Sequence, residues 1–225
     1  MSKQKTIRGA KQTSIIHKSI IPRKSPKQDR SKERYQKILD ITFQTILEIG
    51  YENTTTDLIA ERCGISVGSL YQFFPNKETI VFTRAEILYL HLHEIFFQKI
   101  RHLRTKYKKY SDGLIMEILA AFEKSMEEVQ DYTILHSILY THPSLLELDH
   151  KSNERFAKSL VKELLNPLFP KLSKSRALLL AKITVESVDA VYRSLLRDKK
   201  QTTAQKRRVL AELDRFLSAY LKSIG

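Results

Sequence analysis

The segment from Thr54 to Phe74 restricts the possible folds more than any other part of the sequence. A threonine cap at its start predicts a first short helix, and Ser66 can cap a second one. Between them, Gly64 can adopt the positive φ that a turn of three or four residues requires. Ala60 is small at the point where the second helix must cross closely. The spacing therefore predicts two short helices joined by a tight turn.

The second short helix is predicted to have a buried side and an outer side. Leu70 and Phe74 are four residues apart and form the buried stripe. Ser69, Tyr71 and Gln72 are left on the outer side. This arrangement is typical of a helix-turn-helix, whose second helix enters the major groove of DNA.

A longer amphipathic helix is predicted upstream, beginning at Asp29 and ending before Gly50. Glycine commonly stands one residue beyond a helix end. The apolar positions recur every three or four residues and are Tyr35, Ile38, Leu39, Thr42, Phe43, Ile46 and Ile49. A helix with one apolar face must pack against other elements, so the first three helices are predicted to form one domain.

The remaining chain also shows helical periodicity. Only six Gly and six Pro occur among 225 residues, which is few for the many tight turns of an all-β fold. Helices are predicted over about residues 76–107, 114–126, 131–140, 150–165, 173–197 and 203–223. The fold is therefore predicted to be all-α with nine or ten helices, namely an N-terminal three-helix helix-turn-helix domain and a larger C-terminal helical domain.

Positive charge is concentrated at the N-terminus. The formal net charge is +14, and residues 1–28 contain eight Lys or Arg and no acidic residue. This balance favours a polyanionic partner such as nucleic acid or an anionic membrane surface. We interpret residues 1–28 as a disordered basic arm that adds phosphate contacts. A solubilising tail and an organelle transit peptide are the alternatives.

Residues 34–80 resemble the TetR family of transcriptional regulators. The matching motifs are Ile38-Leu39, Gly50-Tyr51, Thr55-Thr56, Ile59-Ala60, Cys63-Gly64-Ile65-Ser66, Gly68-Ser69-Leu70-Tyr71, Phe74 and Asn76-Lys77-Glu78. The resemblance implies a homodimeric, ligand-responsive repressor of a palindromic operator. Its DNA-binding domain would span residues 29–78, and residues 79–225 would bind a small effector and dimerise. Two residues depart from the family pattern: Cys63 stands where Ala is usual, and Phe73 where many members have Tyr.

The predicted DNA contacts lie on the two short helices and at nearby helix starts. Gln72 and Ser69 can bond to base edges, and Val67 can offer a methyl contact. A phosphate contact is predicted for Tyr71, with a half-buried packing role as the alternative. Gly68 has no side chain and would let the helix backbone approach DNA closely. The full set is Arg30, Lys32, Arg34, Thr55, Thr56, Ser66, Val67, Gly68, Ser69, Tyr71, Gln72 and Lys77.

A dimer interface and an effector pocket are predicted in residues 79–225. The segment 173–197 is apolar almost all round, so one face can meet its own domain and the other needs a partner. Together with 203–223 from each subunit it would form a four-helix interface, with an intramolecular core as the alternative. The interface residues are Val188, Val191, Leu195, Leu213, Phe216, Leu217 and Tyr220. The pocket that the resemblance implies is assigned to Phe96, Phe122, Met126, His136, Tyr140 and Tyr192, with ordinary core packing as the alternative.

No sequence pattern supports catalysis. Ser159 and Lys162 fit a Ser-x-x-Lys spacing without its companion motifs, and the seven histidines lack a zinc-site spacing. We therefore expect no enzymatic activity, no metal and no cofactor. A single cysteine and the lack of an 18-residue apolar run favour a reducing cytoplasm. The resemblance to the TetR family implies a bacterial, nucleoid-associated protein.

Two other functions remain open at this point. A constitutive or architectural DNA-binding protein would have no effector pocket. A membrane-surface or RNA-binding module would need a basic amphipathic face or an exposed aromatic platform.

Overall fold

The computed structural model describes Pro22 and residues 29–129, 131–198 and 200–224. All regular structure within these residues is helical, which confirms the all-α prediction. The described part of the chain contains nine α-helices of five or more residues: α1 (Asp29–Ile49), α2 (Thr56–Cys63), α3 (Val67–Tyr71), α4 (Lys77–Lys106), α5 (Leu114–Glu128), α6 (Tyr132–Ile138), α7 (Pro143–Leu160), α8 (Lys174–Arg197) and α9 (Thr203–Ile224). A 3₁₀ turn, Leu139–Thr141, follows α6.

Helix α7 differs from its predicted bounds of 150–165. It begins at Pro143, because proline is well suited to the first position of a helix, where no backbone N–H donor is needed. Beyond Leu160 the chain continues through a π-helical turn, Val161–Leu165, and one further α turn, Asn166–Leu168. The predicted start at about residue 150 is therefore wrong, and the helix begins at this proline.

The described residues form two compact units. The first contains residues up to Ile87 together with Ile138–Leu148, and the second contains Leu88–Ser137 together with residues from Asp149 onwards. In the first unit, α1, α2, α3 and the start of α4 surround one apolar core. Its fully or nearly fully buried members are Ile38, Leu39, Ile59, Ala60, Cys63, Leu70, Phe73, Phe74 and Ile80.

The turn between α2 and α3 has the predicted cap geometry. The Thr55 hydroxyl accepts a hydrogen bond from the Leu58 N–H at 3.2 Å, and the Ser66 hydroxyl accepts one from the Ser69 N–H at 3.2 Å. Gly64 ends α2 with φ 67°, and its N–H donates to the Glu61 carbonyl at 2.9 Å. These bonds satisfy backbone groups at the helix ends and fix the direction in which α3 leaves α2.

The core of the second unit is built largely from aromatic rings. Phe96 lies 5.0 Å from Phe97 and 5.5 Å from Phe122 between ring centroids, and Phe122 lies 5.1 Å from Tyr192. The Tyr192 hydroxyl donates to the Leu119 carbonyl at 3.1 Å, so its polar end is satisfied within the core. These contacts join α4, α5 and α8.

The positive φ of Gly64 gives a direct stability test. A Cβ at position 64 would meet no atom within 4 Å, so the cost of Gly64→Ala comes from backbone strain alone. We expect the free energy of unfolding to fall by about 1 to 2 kcal/mol. Gly68→Ala, which also meets no atom within 4 Å but lies inside α3, should leave stability unchanged or raise it by up to about 1 kcal/mol. Denaturant titration of both variants measures the pair, and equal stabilities would contradict the assigned turn.

Candidate functional site

The outer side of α3 presents a small exposed surface. Leu70 is fully buried beneath it, whereas Gly68 and Gln72 are exposed and Tyr71 retains 37% of its accessible surface. Val67 and Ser69 are half-buried at the edge of this surface. The structure thus brings the predicted base-contacting residues of α3 to one side of the first unit. Gln72 lies one residue beyond the last residue of α3, where it forms the C-cap.

Hydroxyl groups flank this surface in two pairs. Thr56 and Tyr71 share a hydrogen bond of 3.1 Å between their hydroxyl oxygens, which ties the start of α2 to the end of α3. Ser66 and Ser69 share another of 2.9 Å. Thr55 is exposed and caps α2. Phe73 is buried against the Tyr35 ring at 6.0 Å between centroids.

Lys77 stands at the start of α4 and is held by Tyr51. Its ammonium donates to the Tyr51 carbonyl at 2.7 Å and lies 4.1 Å from the centroid of the Tyr51 ring. Burial raises the pKa of the Tyr51 phenol, so this hydroxyl stays neutral beside the ammonium. Asn76 caps the helix by accepting from the Thr79 N–H at 2.8 Å. An ammonium has three donors, so Lys77 can keep the carbonyl contact and still donate to a phosphate.

Arg30, Lys32 and Arg34 are the basic residues that were predicted near the start of the first helix. They lie within the first two turns of α1, which begins at Asp29. An acidic side chain in the first turn favours an early start, because it interacts well with the positive end of the helix dipole. Lys32 pairs with Asp29 at 3.0 Å, with both side chains mostly exposed.

The second unit contains a cavity among residues of α4, α5, α6, α7 and α8. It encloses about 500 Å³ of space not filled by atoms, part of it open to solvent. Of the six predicted pocket residues, Phe122 lines it. Phe96 and Tyr192 are buried in the neighbouring ring cluster, Met126 and His136 are half-buried elsewhere in the same unit, and Tyr140 is 61% exposed and belongs to the first unit.

Two buried carboxylates that sequence reasoning missed lie in the cavity wall. Asp149 and Asp189 both line the cavity, and Arg193 binds both of them. The guanidinium lies 3.1 Å from an Asp149 oxygen and 2.6 Å from an Asp189 oxygen. Asp189 and Arg193 are spaced i,i+4 within an otherwise apolar stretch of α8. That spacing of charges on a buried face was the available signal in the sequence.

Neighbouring groups complete this network. The Tyr89 hydroxyl donates to Asp149 at 2.7 Å, and the Asn153 amide donates to Asp189 at 3.2 Å. Burial, followed by the nearby Asp149 charge, raises the pKa of Asp189 to about 6. Burial also raises the pKa of Asp149. Both shifts follow from placing two like charges in a region of low dielectric with one shared counter-ion.

The predicted interface residues divide into buried and exposed groups. Leu195, Leu213 and Leu217 are buried within the chain, and Val188 and Val191 are half-buried. Phe216 and Tyr220 on α9 are 63% and 45% exposed. On α8, Leu179 and Ile183 are 60% and 53% exposed. Helices α8 and α9 therefore both leave large apolar side chains exposed to solvent.

Membrane spans and clustered metal ligands are both lacking in the part of the chain that the structure describes. None of the helices in the described ranges has the length and apolar content needed to cross a bilayer. Within the same ranges, no three His, Cys, Asp or Glu side chains are grouped as metal ligands.

The first unit has the structure of a helix-turn-helix DNA-binding protein, with a capped α3 held against α2 by a glycine turn. Two family models match the chain. Residues 38–82 match the one described as "Bacterial regulatory proteins, tetR family", and residues 111–221 the one described as "Tetracyclin repressor-like, C-terminal domain". The chain belongs to the TetR family of bacterial regulatory proteins.

Curated relatives are similar over short segments. The uncharacterized HTH-type transcriptional regulator YuxN of Bacillus subtilis is 25% identical over 43% of this chain and 32% of its own length. The HTH-type transcriptional repressor KstR of Rhodococcus jostii is 44% identical over 20% of this chain and 22% of its own length. The match thus spans about a third or less of each of these relatives.

Solved structures resemble the whole fold. A TetR-family transcriptional regulator from Streptomyces coelicolor has a TM-score of 0.53 at 20% identity, over 85% of this chain and 99% of that one. The fatty acid degradation regulator FadR from Bacillus halodurans has a TM-score of 0.57 at 18% identity, over 86% of this chain and 97% of that one. At this level of identity the similarity shows the fold.

The Asp189 carboxylate predicts an unusual pH dependence of stability. Its pKa of about 6 in the folded state lies above the value of about 4 for an unfolded aspartate, so the folded state binds more protons between these pH values. The contribution of this group to the free energy of unfolding therefore falls as the pH rises through that window. The difference in free energy of unfolding between Asp189→Asn and the unchanged protein should therefore shift by about 2 kcal/mol in favour of the variant from about pH 4 to pH 7. Denaturant titrations across this range measure the difference, and a constant difference would contradict the shifted pKa.

Proposed function

We propose that the chain is a ligand-responsive repressor that binds a palindromic operator as a homodimer, in the bacterial cytoplasm in contact with the nucleoid. Residues 1–28 would act as a basic arm, 29–78 as the DNA-binding domain, and 79–225 as the effector-binding and dimerisation domain. The observation that carries the proposal is α3. Its inner residue Leu70 is fully buried, while its outer side leaves Gly68, Tyr71 and Gln72 exposed for contact with DNA.

The proposed DNA contacts are of two kinds. Ser69 and Gln72 bond to base edges and Val67 contacts a thymine methyl group, which gives sequence preference. The hydroxyls of Tyr71, Thr55 and Thr56, with the Lys77 ammonium, bind phosphates and fix the position of α3. Ser66 keeps the start of α3 ordered, and Gly68 allows close approach. Arg30, Lys32, Arg34 and the arm add phosphate or minor-groove contacts.

A second copy of the chain is proposed to cover the exposed apolar side chains of α8 and α9. Phe216 and Tyr220 on α9 and Leu179 and Ile183 on α8 are large exposed apolar side chains, which a second copy would remove from water. Two helices from each copy would form a four-helix interface around a two-fold axis. A two-fold axis in the protein matches an inverted repeat in the DNA.

Effector control is proposed to act through the spacing of the two α3 helices. A dimer reads successive major grooves when its recognition helices are about 34 Å apart. An effector that binds the cavity better in a differently spaced dimer shifts the population away from the DNA-binding form. The name of the relative KstR, a transcriptional repressor, supports repression as the direction of control.

Two alanine variants test the division between phosphate and base contacts. Lys77→Ala should weaken binding to all duplexes. The slope of the log binding constant against log salt concentration should fall in magnitude by about 1, as expected for the loss of one phosphate contact. Gln72→Ala should mainly relax the preference at one base pair, worth about 1 to 3 kcal/mol. Gel shifts at several salt concentrations with specific and scrambled duplexes separate the two effects. If neither variant changes DNA affinity, α3 and the start of α4 do not form the DNA-binding surface.

The proposed interface predicts that Phe216→Glu yields a monomer, because a buried unpaired carboxylate at the centre of an apolar interface is strongly unfavourable. Leu47→Glu is a matched control, since Leu47 is 69% exposed on α1, outside the proposed interface. Sedimentation equilibrium should show a dimer for the unchanged protein and for the control. If the Phe216→Glu variant is still a dimer, the proposed interface is wrong.

A further inference from the structure

The cavity of the second unit combines an aromatic wall with a charged end. Phe122, Phe156, Tyr89 and Tyr132 contribute rings to its lining. Asp149 and Asp189 contribute carboxylates, and their side chains are 8% and 9% exposed. Arg193 binds both carboxylates but does not itself line the cavity. The charged groups that a ligand would meet in this cavity are therefore negative.

The charges of this end do not balance. Two buried carboxylates share one guanidinium, so one negative charge has no full counter-charge of its own. Burying such a charge is costly unless another positive group comes close. The raised pKa of Asp189 is consistent with this imbalance, since the site already favours binding a proton.

The hydrogen bonds of the two carboxylates also favour a ligand that supplies donors. The Tyr89 hydroxyl, the Arg193 guanidinium and the Asn153 amide nitrogen all donate to the two carboxylates. These donors are therefore already used within the protein. The capacity left for a ligand at this end lies mainly in oxygen lone pairs, which accept hydrogen bonds. A ligand that brings N–H donors and a positive charge complements both the charge and the hydrogen bonding.

We propose that the effector of this protein is an organic cation, a protonated amine with a compact apolar body, and that its ammonium group binds Asp189 and Asp149. This inference rests on the proposed ligand-responsive function and names the chemical class of its ligand. The aromatic wall accommodates the apolar body and can also attract the cation through the ring faces. A ligand carboxylate would instead be repelled by the charged end.

Three probes of similar size separate charge from apolar binding: 2-phenylethylamine, 2-phenylethanol and 3-phenylpropionate. Calorimetric titration into the full chain without DNA measures each affinity. We expect the amine to bind about ten- to a hundredfold more tightly than the alcohol, and the carboxylate to bind more weakly than either. If the amine shows no preference over the alcohol, if the carboxylate binds best, or if none of the three binds, the inference is overturned.

Two variants locate the effect. Asp189→Asn leaves Arg193 paired one-to-one with Asp149, so it should fold and should reduce the amine-to-alcohol affinity ratio to near one. Glu127→Gln removes the same charge from an exposed position on α5 that does not line the cavity, and it should keep most of the preference. Equal loss in both variants would mean that the overall field, not the cavity carboxylate, selects the amine. Should Asp189→Asn not fold, Asp149→Asn provides the same comparison.

A further titration with DNA distinguishes this inference from the proposed function. Addition of the amine to a protein–duplex complex should weaken DNA binding. A protein that prefers the amine but binds no duplex would contradict the repressor function and leave the ligand class standing. A protein that binds an inverted repeat but shows no amine preference would contradict only the ligand class.

Discussion

The tight turn between α2 and α3 is the constraint on which the proposed function depends. Gly64 leaves α2 with φ 67°, and the Ile65 N–H donates back to the Ala60 carbonyl at 3.0 Å. Ala60 and Leu70 are both fully buried where the two helices cross. Because these contacts fix one side of a helix of only five residues, the other side is held exposed. A longer turn or a bulkier crossing would lose this defined orientation.

The second unit contains buried charged groups that its stability does not require. Its helices could be stabilised by apolar packing alone, yet two carboxylates lie in the cavity wall beside the aromatic cluster, bound by an arginine. Buried ion pairs are weak sources of stability compared with well-packed apolar side chains. Sites that break the local rules of core packing are commonly functional. The network of Asp149, Asp189 and Arg193 fits the proposed role in ligand selection, while the surrounding rings supply apolar packing.

Local signals in the sequence predicted the first unit well and the cavity poorly. The caps at Thr55 and Ser66, the glycine turn and the apolar stripes act within a few residues, so the helix-turn-helix could be predicted directly. The start of α7 was predicted too late, at about residue 150, because proline both ends and begins helices and its role depends on the residues after it. The cavity lining depends on how five helices pack. Of the aromatic residues proposed for it, Phe96 and Tyr192 face the ring cluster instead. Asp149 and Asp189 were not predicted because they come together only when α7 and α8 pack.

The central claim is that two copies of the chain present their α3 helices to successive major grooves of one duplex. Selection of bound duplexes from a random pool by the purified full-length protein tests it most directly. The account predicts enrichment of an inverted repeat whose half-sites are centred about one helical turn, or a whole multiple of it, apart. Enrichment of a single half-site without symmetry, or recovery of duplexes with no common sequence, would contradict it.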